Sequence, residues 1–173
     1  MSSYEHIMDT LKHKQCVLQA CSKLIKYLYD TNQQNVALEL AKRCSVHDNS
    51  KFEYPEFDLF SQLCSNKDTL KDPTKQIDHD IENVIRIHWM NNSHHPEYYR
   101  SYKSMSQLDV LEMVCDWYAR SIQYNTDFLE FVNIRQKNRF HFDDEFFKKV
   151  YEYCEVLAQD DIKIWNNIIS LLK

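Results

Sequence analysis

The chain has 173 residues, of which 43% are hydrophobic and 27% charged, and its formal net charge is −5. This length suits one domain with a single core, and the composition is that of an ordinary globular protein. The chain has 0 glycines, where about a dozen are usual at this length. Glycine-rich phosphate loops, dinucleotide fingerprints and tight hairpins are therefore disfavoured, because they need glycine for steric reasons.

The charge and hydropathy patterns argue against two classes of partner. Acidic residues outnumber basic ones by 26 to 21 without a long basic run, so we expect no binding to duplex nucleic acid. No apolar stretch approaches the ~18 residues of a membrane span, and no signal peptide is evident. We therefore expect a cytoplasmic protein without a membrane partner, and a homodimer is left open. The cysteines lack metal-site spacing, and most are expected to be small buried hydrophobes.

Apolar residues recur at helical spacing over nearly the whole chain, which predicts one all-α domain, residues 1–173, with about seven helices. The predicted elements, in chain order, are helices over 4–29 and 34–46, one starting near Pro55, one over 74–90, a short one opened by 94–97, one over 106–124, and two or three more from Thr126, Asp143 and about Asp160. Ser106 with Asp109 resembles a capping box at the start of its helix.

Helical geometry also predicts which side chains face the core. The first helix is expected to turn inward a stripe formed by Ile7, Leu11, Leu18, Cys21, Ile25 and Leu28. The helix from Ser106 is expected to do the same with Leu108, Leu111, Cys115, Ala119 and Ile122. His13 falls on the flank of the first stripe, where a lone histidine is more often a hydrogen-bonded core residue than a ligand.

The dipeptide His-Asp occurs twice, and the same geometry separates the two copies. His79 and Asp80 fall on the polar side of their helix, so we interpret them as solvated surface. His47 and Asp48 end a helix with an apolar face, so they should lie at the edge of the core. His88 lies in the apolar sector of the helix that carries the second copy.

A row of carboxylates follows the inward face of the helix from Ser106. Asp109, Glu112 and Asp116 share one flank, and Glu112 lies well inside the apolar sector. Because an unpaired buried carboxylate is costly, this row requires cations, hydrogen bonds or a metal ion. A salt bridge to a lysine or arginine of another helix would explain the row equally well.

Separate predicted helices thus offer His13, then His47 with Asp48, then Asp116. The doublet lies in the stretch VHDNSK, where Lys51 completes the order His-Asp-x-x-Lys. This order resembles the HD-domain superfamily of metal-dependent phosphohydrolases.

Two later stretches extend the resemblance. HWMNNSHHPEYY, from residue 88, and LDVLEMVCDWYA, from residue 108, are similar to an uncharacterised HD-like family known mainly from phages and bacteria. The resemblance covers roughly residues 5–125 and implies an all-helical fold. The metal ligands that it implies are His13, His47, Asp48 and Asp116. Some HD proteins hold a second ion with additional histidines, for which His88 and His95 are the candidates.

The donor types indicate the cofactor and the chemistry. Imidazole and carboxylate ligands without thiolate suit Mn, Fe, Co, Ni or Zn, with Mg also allowed, as one or two ions. Such an ion would acidify water and polarise a phosphoryl oxygen. Lys51 would stabilise the charge of the phosphate, and Asp48 would take part in catalysis as a ligand of the ion. Glu112 or Asp109 would orient a histidine or act as general base.

The remaining candidates lie around the substrate. The residues expected to contact it are Lys51, His88, His94, His95, Glu97 and Asp109. We expect one of the adjacent pair, His94 and His95, to lie exposed at a turn.

Three functions are compatible with these residues. The leading hypothesis is a phosphomonoesterase or phosphodiesterase that acts on a nucleotide or another small phosphorylated metabolite. The second is a di-iron oxygenase, a chemistry that also occurs on HD scaffolds and requires two irons. The third is a non-catalytic module that senses a nucleotide or engages a partner protein.

Overall fold

The computed structural model describes residues 2–65 and 79–171. These residues form helices and turns without a strand, which confirms the all-α prediction. The helices within the described residues are α1 (Ser2–Asp30), α2 (Gln34–Val46), α3 (Glu56–Ser65), α4 (His79–Asn91), α5 (Gln107–Tyr124), α6 (residues 128–140) and α7 (Asp144–Leu171). Helix α6 is composite, because a π-helical stretch, Phe131–Gln136, separates two short α-helical pieces, Phe128–Glu130 and Lys137–Phe140.

Several predicted boundaries need comment. The helix predicted to begin near Asp160 is wrong, because α7 runs through this position without a break. A capping residue type starts a helix only where the preceding helix has ended, and α7 contains neither proline nor glycine to end it. The short helix predicted after His94 is a 3-10 turn, Pro96–Tyr98. The start predicted at Thr74 and the side chains of His79 and Asp80 lie outside the described residues.

Helices α1 and α5 form the centre of the fold. Helix α1 packs against α2, α3, α5 and α7, and every residue of α5 from 109 to 119 is buried. The predicted capping box at the start of α5 is confirmed, since the Ser106 Oγ accepts from the Asp109 amide and the Asp109 carboxylate accepts from the Ser106 amide. The site residues on α1 and α5 therefore lie on the two most enclosed helices.

The inward face of α1 differs from the predicted one. Leu11 and Leu18 are 48% and 46% exposed, and Ile122 of α5 is 46% exposed. The buried stripe of α1 consists of His6, Thr10, His13, Val17, Ala20, Cys21, Leu24 and Leu28. The apolar pattern predicted Cys21 and Leu28 correctly but missed the N-terminal half of the stripe, because polar residues occupy that half, where they face the site described below.

Positive φ angles occur in the described residues although the chain has no glycine. Asn32, Asp48, Asn125 and His141 adopt them, with φ between 50° and 61°. Asparagine, aspartate and histidine are the residue types other than glycine that tolerate this region best. Asn125 ends α5, and Asp48 redirects the chain between α2 and the 3-10 turn Asn49–Phe52.

Two further predictions from the sequence concern membrane-spanning segments and the cysteines. None of the described helices combines the length and apolarity that crossing a bilayer would require. The cysteines are free thiols, and Cys21, Cys44, Cys115 and Cys154 are buried, as expected for most of them.

The corrected face of α1 can be tested with a matched pair of leucines. Leu24→Ala removes a side chain with 0% exposure, whereas Leu18 is 46% exposed. We expect Leu24→Ala to lower the free energy of unfolding by about 2 to 5 kcal/mol and Leu18→Ala by less than about 1 kcal/mol, measured by urea denaturation. Equal losses would contradict this assignment of the buried stripe.

Candidate metal centre

One cluster of donors joins α1, the end of α2 and α5. The Nε2 atom of His13 lies 2.8 Å from Oδ1 of Asp116 and 3.4 Å from Nε2 of His47. Asp48 approaches the same atoms, since its Oδ2 lies 3.7 Å from His13 Nε2 and its Oδ1 lies 3.5 Å from His47 Nε2. All four residues are buried. The structure therefore brings together the ligand set that the resemblance implied.

A second cluster lies on the other side of Asp48. Oδ1 of Asp48 is 3.4 Å from Nε2 of His88 and 3.5 Å from Nε2 of His94, and His95 Nε2 is 3.1 Å from His88 Nε2. His88 lies in the last turn of α4, and His94 and His95 lie in the turn that follows. One carboxylate, that of Asp48, is thus common to the two clusters.

His94 was not predicted as a metal ligand. The expectation that one of the pair His94 and His95 is exposed is wrong, because His94 is 2% exposed and His95 is only partly exposed. The extended backbone of His95, which Pro96 favours, lets the two neighbouring rings turn into the same cluster, with ring centres 4.2 Å apart. The sequence gives no sign of this, since neither histidine lies on a helix face.

The chemistry of the donor set fits a cation. Asp48 Oδ1 and His94 Nε2 are buried and have no hydrogen-bond partner. An orphaned buried polar atom is costly, and a divalent ion between such atoms would remove that cost. Burial raises the pKa of Asp48, but the attraction of His47, Lys51 and His88 outweighs it and holds that pKa well below its usual range. These buried groups could hold a metal ion.

Two glutamates orient the imidazole rings. Glu112 Oε1 accepts from His47 Nδ1 at 2.9 Å and lies 3.4 Å from His94 Nδ1. Glu56, in the first turn of α3, is 2.8 Å from His88 Nδ1. A hydrogen bond at Nδ1 leaves Nε2 free of its proton, as a metal ligand requires. Glu56 was missed, because its position after Pro55 looked only like a helix start.

Arg43 of α2 neutralises the carboxylate row, and this residue was also missed. Its Nε donates to Glu112 Oε2 at 2.8 Å, and its Nη2 donates to Asp109 Oδ1 at 2.7 Å and to Ser93 Oγ at 2.8 Å. The interhelical salt bridge considered for this row is therefore present, on residues that also support the histidine clusters. The sequence gives no signal that singles out Arg43 among the cations of α2.

The same network lowers the pKa of Asp109. Burial raises this pKa, but hydrogen bonds from Ser106 and Ser93 prevail and bring it to about 2. Because the folded-state pKa lies below the unfolded one, the ionised form of Asp109 contributes stability at neutral pH. That contribution is lost as the pH falls from about 4 toward 2.

The other predicted residues occupy different positions. Lys51 is 6% exposed, and its Nζ lies 2.5 Å from Asp48 Oδ2. Asp109 is enclosed in the capping box and the Arg43 network, so the structure does not place it against a substrate. Glu97 forms an ion pair with Arg139 near His95.

Two cavities adjoin the clusters. One, of about 680 Å³, has His95 and Asp116 in its wall. The other, of about 600 Å³, has His13 and Lys51 in its wall. Arg120 and Tyr124 of α5 line both cavities. The two clusters are therefore reachable from spaces large enough for a small molecule.

Fold and site together define an all-helical protein with buried histidine and carboxylate clusters that could hold metal ions. The chain belongs to the protein family DUF5662, a family of unknown function, whose profile matches residues 2–170. No curated protein matches the chain, and no solved structure matches it.

The two clusters make a prediction about metal stoichiometry. After reconstitution with Mn²⁺ and desalting, we expect elemental analysis to find about two ions per chain in the wild type and about one in either His13→Ala or His94→Ala. Asp48→Ala should lose both ions, because its carboxylate contacts both clusters. His141→Asn is the matched control, since His141 is exposed and outside the clusters, and asparagine tolerates its positive φ. Retention of two ions by His94→Ala would contradict the second cluster.

Proposed function

We propose that the chain is a metal-dependent phosphohydrolase of the HD type that acts on a nucleotide or a similar small phosphorylated metabolite. The observation that carries the proposal is the carboxylate of Asp48, which lies between two histidine-rich clusters and keeps one buried oxygen without a hydrogen-bond partner. Two closely spaced metal ions are the arrangement that stabilises the attacking and leaving oxygens of a phosphoryl transfer.

Each cluster would hold one ion. His13, His47 and Asp116 would bind the first, and His88, His94 and His95 the second, with Asp48 between them. When bound, such ions lower the pKa of water and withdraw charge from phosphoryl oxygens. The reaction consumes one water, which attacks phosphorus, while the phosphorus–oxygen ester bond breaks and the leaving oxygen takes a proton.

The protein side chains would contribute position and charge. Glu112 has one oxygen on His47 and the other on Arg43, so we assign it to orienting the ligands and not to proton transfer. Lys51 donates a hydrogen bond to Asp48 and also lines the 600 Å³ cavity. A phosphate group in this cavity would form an ion pair with the same ammonium group. Arg120 adds a second cation at the junction of the two cavities.

Phosphate release tests the proposal. Purified protein loaded with Mn, Co, Ni or Fe should release phosphate from nucleotides or cleave cyclic dinucleotides, and chelation should abolish this activity. We expect His47→Ala to lose at least about 100-fold in kcat/KM, because it removes a ligand and the partner of Glu112. His141→Asn should retain wild-type activity. Metal-loaded protein that turns over none of these substrates would sink the proposal.

A di-iron oxygenase is the second candidate. The same observation favours it, because two clusters of imidazole and carboxylate donors sharing one aspartate also suit a pair of irons. Anaerobic loading with Fe²⁺ followed by exposure to oxygen separates the two functions. Stoichiometric oxygen uptake without phosphate release by any metal form would select the oxygenase, whereas phosphate release without oxygen uptake would exclude it.

A further inference from the structure

The 680 Å³ cavity, called here the aromatic cavity, has five aromatic side chains in its wall. Trp89 of α4, Trp117 and Tyr124 of α5, and Phe131 and Phe140 of α6 line it. Its wall also includes His95 and Asp116, one member of each cluster. A molecule that places a phosphate at the clusters would therefore extend the rest of its structure along aromatic faces.

Arg139 of α6 lies against these rings. Its guanidinium carbon is 5.3 Å from the ring centre of Trp89 and 4.8 Å from that of Phe140. Glu97 anchors the same guanidinium through an ion pair. Aromatic rings combined with an arginine are the surfaces on which proteins stack nucleobases, because every base offers a flat π face. A sugar phosphate without a base has no such face to offer.

A buried amide on the same wall adds hydrogen-bonding capacity. Gln136 lines the aromatic cavity, is 6% exposed, and its Oε1 has no hydrogen-bond partner. It ends the π-helical stretch Phe131–Gln136, and such stretches in helical segments occur frequently at functional sites. A primary amide can accept from the exocyclic amino group of adenine and donate to the neighbouring ring nitrogen, which is how glutamine pairs with this base.

The charges that line the two cavities indicate how a ligand would be oriented between them. The 600 Å³ cavity is lined by three cationic residues, Lys12, Lys51 and Arg120, and one carboxylate, Asp9. The aromatic cavity is lined by Arg120 and Arg139 and by four carboxylates, which are Glu97, Asp116, Asp127 and Glu130. An anionic group is therefore favoured in the 600 Å³ cavity, and an uncharged ring is favoured in the aromatic cavity. The clusters with their shared Asp48 lie between the two.

We propose that the aromatic cavity binds the base of a nucleotide and that Gln136 and Arg139 select substrates that carry one. This inference rests on the proposed phosphohydrolase function and extends it from phosphate esters in general to nucleotides. It assigns recognition to α6, a segment that contains no predicted site residue. Gln136 and Arg139 are specificity residues, and neither belongs to the clusters.

The test compares adenosine 5′-monophosphate with ribose 5-phosphate, which have the same phosphate and sugar and differ only in the base. Wild-type protein loaded with Mn²⁺ should show a kcat/KM for the nucleotide at least about tenfold above that for the sugar phosphate. Gln136→Leu and Arg139→Ala should each reduce this ratio by about tenfold, because turnover of the nucleotide falls much more than that of the sugar phosphate.

A binding measurement keeps the inference independent of turnover. Adenosine, which carries no phosphate, should quench tryptophan fluorescence in a saturable way, since Trp89 and Trp117 line the aromatic cavity. Arg139→Ala should weaken this quenching. Asn133→Leu is the matched control, because it replaces an exposed amide on the same π-helical stretch outside the aromatic cavity and should keep the wild-type ratio and quenching.

The outcomes for the two proposals differ. Failure to turn over these two compounds as well as the nucleotides and cyclic dinucleotides named above would overturn the proposed function, and adenosine quenching would then still test the aromatic cavity. If phosphate is released but neither Gln136→Leu nor Arg139→Ala changes the ratio of the two kcat/KM values, the aromatic cavity does not bind the base. The phosphohydrolase proposal would then still stand. Absence of saturable quenching by adenosine would overturn it as well. Arg139 is 48% exposed, so Arg139→Ala keeps the inference testable if Gln136→Leu, at a buried position, fails to fold.

Discussion

The buried carboxylate of Asp48 is the feature around which the rest of the site is arranged. A carboxylate in the interior is stable only if cations or hydrogen bonds surround it. Here Lys51 lies on one oxygen, and the imidazoles of His88 and His94 approach the other. The left-handed backbone at Asp48 allows this, because φ of 55° turns the chain directly after α2 and places the side chain between the clusters. An aspartate can adopt that conformation at modest cost, in a chain that has no glycine to do so.

The residues around Asp48 form a network in which each charged group is bonded to one of opposite charge or to a histidine. The histidines around Asp48 need acceptors at Nδ1, which Glu112 and Glu56 provide. Glu112 in turn needs a cation, which Arg43 provides while also bonding Asp109. Breaking one partner of such a buried set costs far more than the intact set contributes, because it leaves a charge without compensation. The network therefore joins α2, α4 and α5 through groups that depend on one another for charge balance.

The same arrangement relates the clusters to the two cavities. Arg120 and Tyr124 lie one and two turns beyond Asp116 on α5, and they border both cavities. One helix thus carries a candidate ligand and the boundary between a cationic space and an aromatic one. This geometry suits a substrate with unlike ends, a phosphate at one and a planar ring at the other.

Much of this protein could be predicted from the sequence because local rules decide it. Helical periodicity predicted the all-α fold, and the bounds of α2 and the capping box of α5 followed from residue types within a few positions. The set His13, His47, Asp48 and Asp116 was predicted by a resemblance in residue order, and the structure brings these residues together. The inward stripe of α1 was wrong at Leu11 and Leu18, because hydrophobicity is a poor guide where a helix turns polar ligands toward the interior.

Tertiary structure alone decided the rest. Arg43 and Glu56 meet Glu112 and His88 across separations of 69 and 32 residues. His94 lies in an irregular turn that has no periodic face. No local pattern encodes such pairings, since they depend on which helix ends are brought together when the core packs. The cavity on α6 has the same origin, because its wall combines side chains of α4, α5 and α6. The sequence by itself determined most of the helices and indicated a set of candidate ligands. Packing decided the surroundings of these residues, because the charge of a buried group is balanced by its neighbours in space and not in sequence.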